Sequence, residues 1–156
     1  MPDGTAVSFQ AEGAAVDGSC LTVSGACSVT LSSQNPRPAD GRVTVLATAV
    51  GEESFIDSET SNGQFDDAEL PFLQDLDEAF RDDNENGVRD SNEPYVNFNE
   101  NPEATGGFDL KNGKFDGLLC KGPNLCSPSS TITLRESIVI VLSGSGLIVN
   151  IQPVTI

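Results

Sequence analysis

The sequence predicts an all-β body interrupted by a long acidic insertion, and three observations carry that reading. Near both ends, over 5–11, 42–50 and 131–135, apolar and polar residues alternate as they do in strands with one buried face. Residues 51–119 hold 19 of the 24 acidic residues and only 4 of the 8 basic ones, so this stretch carries −15 of the net −16. Within it the pattern Asn-Gly-x-x-Asp occurs three times, at Asn62–Asp66, Asn86–Asp90 and Asn112–Asp116, with the glycines 24 and 26 residues apart. The composition therefore divides the chain into a β domain over 1–50 and 120–156 and an inserted acidic segment over 51–119.

Taken in order, the first strand is expected over 5–11, with Val7 and Phe9 on one face. Residues 20–32 read as a hairpin turning at Ser24-Gly25, flanked by β-branched residues. The two prolines Pro36 and Pro38 mark a loop over 33–38. The clearest strand of this half is 42–50, with Val43, Val45 and Ala47 on one face. Phe72, Leu76 and Phe80 recur every four residues with Leu73 beside them, which predicts a short amphipathic helix over 71–80 with Pro71 in its first turn. Phe55, Phe65, Phe98, Phe108 and Phe115 are expected to anchor the acidic segment. Beyond Cys126 come an alternating strand at 131–135 and a continuous apolar run at 138–142, the latter expected to be covered on both faces. A Ser-Gly-Ser-Gly hinge at 143–146 leads to a last strand at 147–151.

The central loop is the most specific feature. Numbered from Asp82, oxygen-bearing side chains fall at positions 1, 3, 5, 9 and 12 (Asp82, Asn84, Asn86, Asp90 and Glu93), with Gly87 at position 6. This is the spacing of an EF-hand calcium loop. Ca²⁺ takes six to eight oxygens, and a tightly coiled loop aims alternate side chains at one centre. Val88 at position 7 offers its carbonyl, and Glu93 can close the shell with both oxygens. The first copy fits if one residue is inserted before Asn62, making Asp57, Glu59, Asn62, Asp66 and Glu69 the ligands, with the carbonyl of Gln64. The third copy keeps Asp109, Asn112 and Asp116 but has Leu119 where a closing glutamate is needed. Asn97, Asn99 and Asn101 hold an alternate spacing as well, followed by Pro102 in place of glycine.

So acidic a chain is unsuited to nucleic acid phosphates or anionic lipid and suited to cations. A segment that repels itself this strongly is expected to order poorly without counterions. Four cysteines allow three connectivities; Cys20–Cys27 and Cys120–Cys126 are favoured, because each pair encloses a short segment containing a glycine. Zinc fits poorly, since neither spacing is the close type and histidine is absent. Paired cysteines and a calcium motif suit an oxidising, calcium-rich exterior. No apolar run is long enough to cross a bilayer, and Met1-Pro2-Asp3-Gly4 is no secretion signal, so the chain reads as a mature fragment or an excised domain. An enzyme is not expected: there is no histidine for a triad, no tryptophan for sugar stacking, and no carboxylate pair singled out for acid–base work.

The flanks have a further likeness. The segments 2–9 (Pro-Asp-Gly-Thr-Ala-Val-Ser-Phe), 25–31 (Gly-Ala-Cys-Ser-Val-Thr-Leu) and 41–47 (Gly-Arg-Val-Thr-Val-Leu-Ala) resemble the bacterial immunoglobulin-like domains of invasin and intimin type, over roughly 2–55 and 128–145. The resemblance implies an immunoglobulin-like β-sandwich strung in tandem on a bacterial surface, serving as stalk or adhesive module, with neighbouring domains or other copies of itself as partners. Two departures stand out. The acidic insertion is unusual, and the strands that normally precede the Asp-Gly-Thr segment are missing. The flanks together fall short of the about 100 residues of a complete sandwich. The apolar tail can fill that gap in its own chain, fill it in the next copy and so build a fibre by strand donation, or begin a following domain. The paired loops are also similar to those of dockerins, calcium-dependent docking modules, although those are short helical domains that favour an aliphatic residue where Arg89 stands.

Overall fold

The computed structural model describes residues 1–58, 61–98, 107–122, 124–143 and 148–150. The expected all-β class is observed: seven strands and, among the described residues, no helix longer than the single 3₁₀ turn Leu70–Phe72. The strands are β1 (Ala6–Ala11), β2 (Ala14–Val16), β3 (Ser19–Leu21), β4 (Thr30–Ser33), β5 (Arg42–Gly51), β6 (Ile132–Val141) and β7 (Ile148–Asn150). They form a four-stranded sheet in the order β3-β1-β5-β6 and a three-stranded sheet in the order β2-β4-β7. Strand β1 runs antiparallel to β3 and β5, and β4 runs antiparallel to β2 and β7.

The main core draws on both sheets. Ala14 and Leu31 come from the smaller sheet and Val43, Val45 and Ile140 from the larger; Leu142 completes the buried set, and Phe9, Ala11 and Val16 pack against it. A second cluster, Val7, Ala47 and Ala49, packs against Phe9 and the Cys20 and Cys27 side chains. Both expected disulfides, Cys20–Cys27 and Cys120–Cys126, are present.

Several local expectations are corrected. Residues 20–32 do not form one hairpin. Ser24 and Gly25 both take positive φ (55° and 77°), and the chain turns back only as far as a Val23–Ala26 bridge. Cys27 is then tied to Cys20, and the chain crosses to β4 in the other sheet. Strand β5 is buried on both faces from Val43 to Ala49, not on one: Val43 and Val45 enter the main core, while on the other face Thr44 donates to the Asp82 carbonyl. Conversely, the apolar run at 138–142 is not covered on both faces: Ile138 and Val141 are 45 % and 61 % exposed. Residues 138–141 belong to one ten-residue strand, β6, at the edge of its sheet, and Leu142 follows it. The tail strand β7 pairs with β4 of its own chain, with Leu31 opposite Val149.

The predicted helix over 71–80 is absent. Its main chain is committed to distant partners instead. The Gln74 N–H donates to the Ser54 carbonyl, the Glu78 N–H to the Asp109 carbonyl, and the Ala79 carbonyl accepts from Val96 N–H. These bonds cannot coexist with an i to i−4 ladder, and they hold the acidic run extended.

By internal contacts the chain comprises two compact units, one of residues 1–49, 80–94 and 135–156, the other of 50–79 and 95–134. These boundaries differ from those drawn from composition. The 82–93 loop groups with the strand-rich unit, and 120–134 groups with most of the acidic residues. The second unit has its own aromatic centre: Phe55, Phe65 and Phe115 pack ring to ring at 5.0–5.3 Å between centroids. Tyr95 and Phe108 form a separate edge-to-face pair at 5.6 Å.

Candidate metal centre

The 82–93 loop coils as its spacing requires. The Asp82 carboxylate accepts the N–H groups of Asn86 (3.0 Å) and Gly87 (2.6 Å). Asn86 Oδ1 accepts from Val88 N–H at 2.7 Å, and the amide groups of Asn84 and Asn86 both donate to Asp90 Oδ2. Glu93, only 2 % exposed, closes the loop. Its Oε1 takes the Asp83 N–H and its Oε2 the Asp90 N–H, each at 2.9 Å. Gly87 adopts φ +79°, a conformation that a side chain resists. The loop is seated within its unit by three contacts. Arg42 pairs with the Glu85 carboxylate, Thr44 Oγ1 donates to the Asp82 carbonyl at 3.1 Å, and Arg81 reaches the Ala11 carbonyl at 3.1 Å.

The first copy repeats this scheme. Asp57 Oδ2 accepts from Gly63 N–H at 2.6 Å, as Asp82 does from Gly87, so Asp57 occupies the leading place with one residue more before the glycine. Asn62 Oδ1 accepts from Gln64 N–H at 2.7 Å, and the Asn62 amide donates to Asp66 Oδ2 at 3.2 Å. Glu69 is fully buried and its Oε2 takes the Asp66 N–H. The Ala68 N–H, then the Glu69 side chain, hold the Asp66 pKa below the usual carboxylate range. Ser61 and Gly63 take positive φ two residues apart, as Glu85 and Gly87 do. Glu59 lies outside the described residues.

The third copy is completed by residues that the local spacing did not reveal. Asn112 Oδ1 accepts from Lys114 N–H at 2.7 Å, in register with the other two copies. The carboxylate on the Gly113 N–H belongs to Asp75, however, at 2.7 Å, and Asp77 Oδ1 takes the Lys111 N–H. The buried glutamate is Glu53: Oε1 accepts from Leu76 N–H at 2.8 Å and Oε2 from Asp116 N–H at 3.0 Å. Asp109 is placed elsewhere. Its N–H goes to Glu78 Oε2, while Oε1 of the same buried glutamate takes the Phe98 N–H, next to Asn97. Asn99 and Asn101 lie outside the described residues. The one signal in the sequence for the leading residues of the third copy was Asp75-x-Asp77, spaced like Asp82-x-Asn84; nothing adjacent marked Glu53 or Glu78.

No family model matches the chain, and neither curated proteins nor solved structures give a match. The reading of the loops rests on their own chemistry.

Phe65 and Phe115 occupy the same place, two residues after the loop glycine, and each makes a short bridge to one end of a disulfide. Phe65 bridges Cys120 and Phe115 bridges Cys126. The two loops of this unit are thus tied to a single covalent ring.

The donors are carboxylates, amide oxygens and carbonyls, a hard set that suits calcium and not a soft metal. Among the described residues, five buried carboxylate oxygens have no hydrogen-bond partner: Asp57 Oδ1, Asp75 Oδ1, Asp109 Oδ2 and both oxygens of Asp116. All lie in or beside these loops. A buried unpaired carboxylate is costly without a counter-charge or a hydrogen-bond donor. Burial pushes the Glu53 pKa up to about 7, against the pull of the Asp116 and Leu76 N–H groups, and the negative charges of Asp116 and Asp75 add to the rise. Burial also raises the Asp116 pKa, with Ser127 and Asn112 partly offsetting it. Among the described residues, no three acidic, cysteine or histidine side chains converge into a metal-holding group by themselves. A cation here would need the amide and carbonyl oxygens as well.

Proposed function

We propose that the chain is an extracellular structural module, an immunoglobulin-like β-sandwich of the invasin and intimin type stiffened by calcium. The observation that supports it most is the scheme shared by the loops. In each, a leading carboxylate caps the glycine N–H, an asparagine oxygen caps the residue two further on, and a buried glutamate takes main-chain N–H groups. Asp82, Asn84, Asn86, Asp90, Glu93 and the Val88 carbonyl would hold one Ca²⁺; Asp57, Asn62, Asp66, Glu69 and the Gln64 carbonyl a second. Bound calcium supplies the positive charge that offsets the surplus of −15 over 51–119. The disulfides fit a non-reducing setting, and among the described residues no helix is long and apolar enough to cross a membrane. A surface location on a bacterium is part of the same reading.

Raising calcium from chelator to millimolar levels should raise the melting temperature, because a ligand at about 100 times its Kd stabilises by about 2.7 kcal/mol. An unchanged melting curve would count against the proposal. In the single chain β7 pairs with β4, which is the place a donated strand of a neighbour would also take. Light scattering with calcium present separates self-completion from donation. A monomer at all concentrations fits self-completion, and growing assemblies would favour fibre formation with other copies as partners. The dockerin-like alternative is less well supported, since among the described residues no α-helix flanks the loops.

A further inference from the structure

We propose that Glu53, Asp75, Asp77, Asn112, Asp116 and the Lys114 carbonyl form a calcium site assembled from three separate stretches of chain. The inference rests on the calcium reading of the 82–93 loop and extends it to residues that no single loop contains.

The warrant is a bond-by-bond correspondence with that loop. Glu93 joins the N–H following the leading aspartate (Asp83) to the N–H of the ninth-position aspartate (Asp90), one with each oxygen. Glu53 does the same for Leu76, which follows Asp75, and for Asp116. Asp75 caps Gly113 as Asp82 caps Gly87. Asn112 caps Lys114 as Asn86 caps Val88. Asp77 follows Asp75 by two residues, as Asn84 follows Asp82, and caps the chain just before Asn112. The scheme is that of one continuous loop, cut after its third position and with its closing glutamate moved to the front. Glu53 lies 63 residues before Asp116, and Asp75 lies 38 before Gly113.

An independent observation points to a ligand. Asp116 is fully buried, and neither of its oxygens meets a partner in good hydrogen-bond geometry, although the Ser127 and Asn112 side chains lie near enough to favour its charged form; the inner oxygen of Asp75 is buried and unpartnered. Buried carboxylate oxygens without partners are costly in a poorly solvated place unless a cation meets them. Main-chain N–H groups account for both oxygens of Glu53 and one of Asp75, but not for the other oxygen of Asp75 or for those of Asp116. The donors are all oxygen, mixed between carboxylate, amide and carbonyl, as calcium prefers. Such a site does more than a continuous loop does. Closing three distant segments on one another costs chain entropy, which a shared ion offsets.

The test counts ions. The full chain, with its disulfides intact, is dialysed to equilibrium against calcium, and bound metal per chain is measured for the wild type, Asp82→Asn, Asp116→Asn and Glu53→Gln. Asp116→Asn and Glu53→Gln should each lose one ion, and Asp82→Asn a different one, so that Asp82→Asn combined with Asp116→Asn loses two. If Asp82→Asn loses an ion while Asp116→Asn and Glu53→Gln bind as many as the wild type with unchanged affinity, the composite site is wrong and the loop reading stands. If the wild type binds none, both fall. Should a buried variant fail to fold by circular dichroism, crystals of the wild type soaked in terbium decide: an anomalous peak between Glu53 and Asp116 is expected, and a peak beside Asp82 with none there overturns the proposal.

Discussion

The buried glutamate that closes the central loop offers the sharpest test of how the acidic segment is held. Glu93 is 2 % exposed and accepts Asp83 N–H through one oxygen and Asp90 N–H through the other, both at 2.9 Å. Replacing it by glutamine keeps shape and volume. One end of the amide can still accept, but the other becomes an NH₂ facing an N–H. One charge-assisted bond is lost, worth about 1.5–3 kcal/mol, and a buried donor is left unpaired. The expected loss is about 2–3 kcal/mol in chelator. At roughly 2–4 °C per kcal/mol for a chain of this size, the melting temperature should fall by about 4–12 °C. The assay is thermal unfolding followed by circular dichroism, in chelator and in millimolar calcium. In calcium the gap between Glu93→Gln and wild type should widen, since the variant also loses a bidentate ligand. A variant that melts with the wild type in chelator would refute the structural role, and one that keeps the full calcium-induced rise would refute the metal role.

Further outcomes follow from other contacts. Arg42→Ala removes the Glu85 partner, but the pair is partly exposed and such pairs contribute about 0–1 kcal/mol, so melting should fall by at most a few degrees; a larger drop would show that this pair, more than the other contacts, holds the loop. Replacing Cys120 and Cys126 by serine opens a short covalent ring and frees the bridges to Phe65 and Phe115. A loss of about 2–3 kcal/mol by denaturant titration is expected, and an unchanged midpoint would contradict it. Phe65→Ala empties a fully buried place against Phe55 and Phe115 and should cost about 3–5 kcal/mol by the same measurement; a loss below about 1 kcal/mol would show that this cluster is not a core.

Local features were legible wherever the physics is local. The positions of β1, β5 and the first part of β6 followed from alternation, although the run at 138–142 read as a strand of its own; both disulfides followed from short enclosed segments, and the coil of the 82–93 loop from its oxygen and glycine spacing. Four-residue periodicity at 72–80 misled, because Gln74, Glu78 and Ala79 bond to partners far along the chain, and that demand outweighs a weak helical preference. The hairpin over 20–32 failed for a related reason. Its turn is real, but the disulfide closes it after one bridge, and β4 finds its partners in another sheet.

By itself the sequence determined the β class, the concentration of negative charge in the middle of the chain, and one loop whose every oxygen position lies within twelve residues. Only the tertiary structure decided which glutamate serves the third loop. Glu53 and Asp75 reach Asp116 and Gly113 across 63 and 38 residues, a proximity that no spacing rule encodes. Sequence patterns register neighbours along the chain, whereas hydrogen-bond and charge partners are chosen in space, once the packing of Phe55, Phe65 and Phe115 has given these segments a common centre.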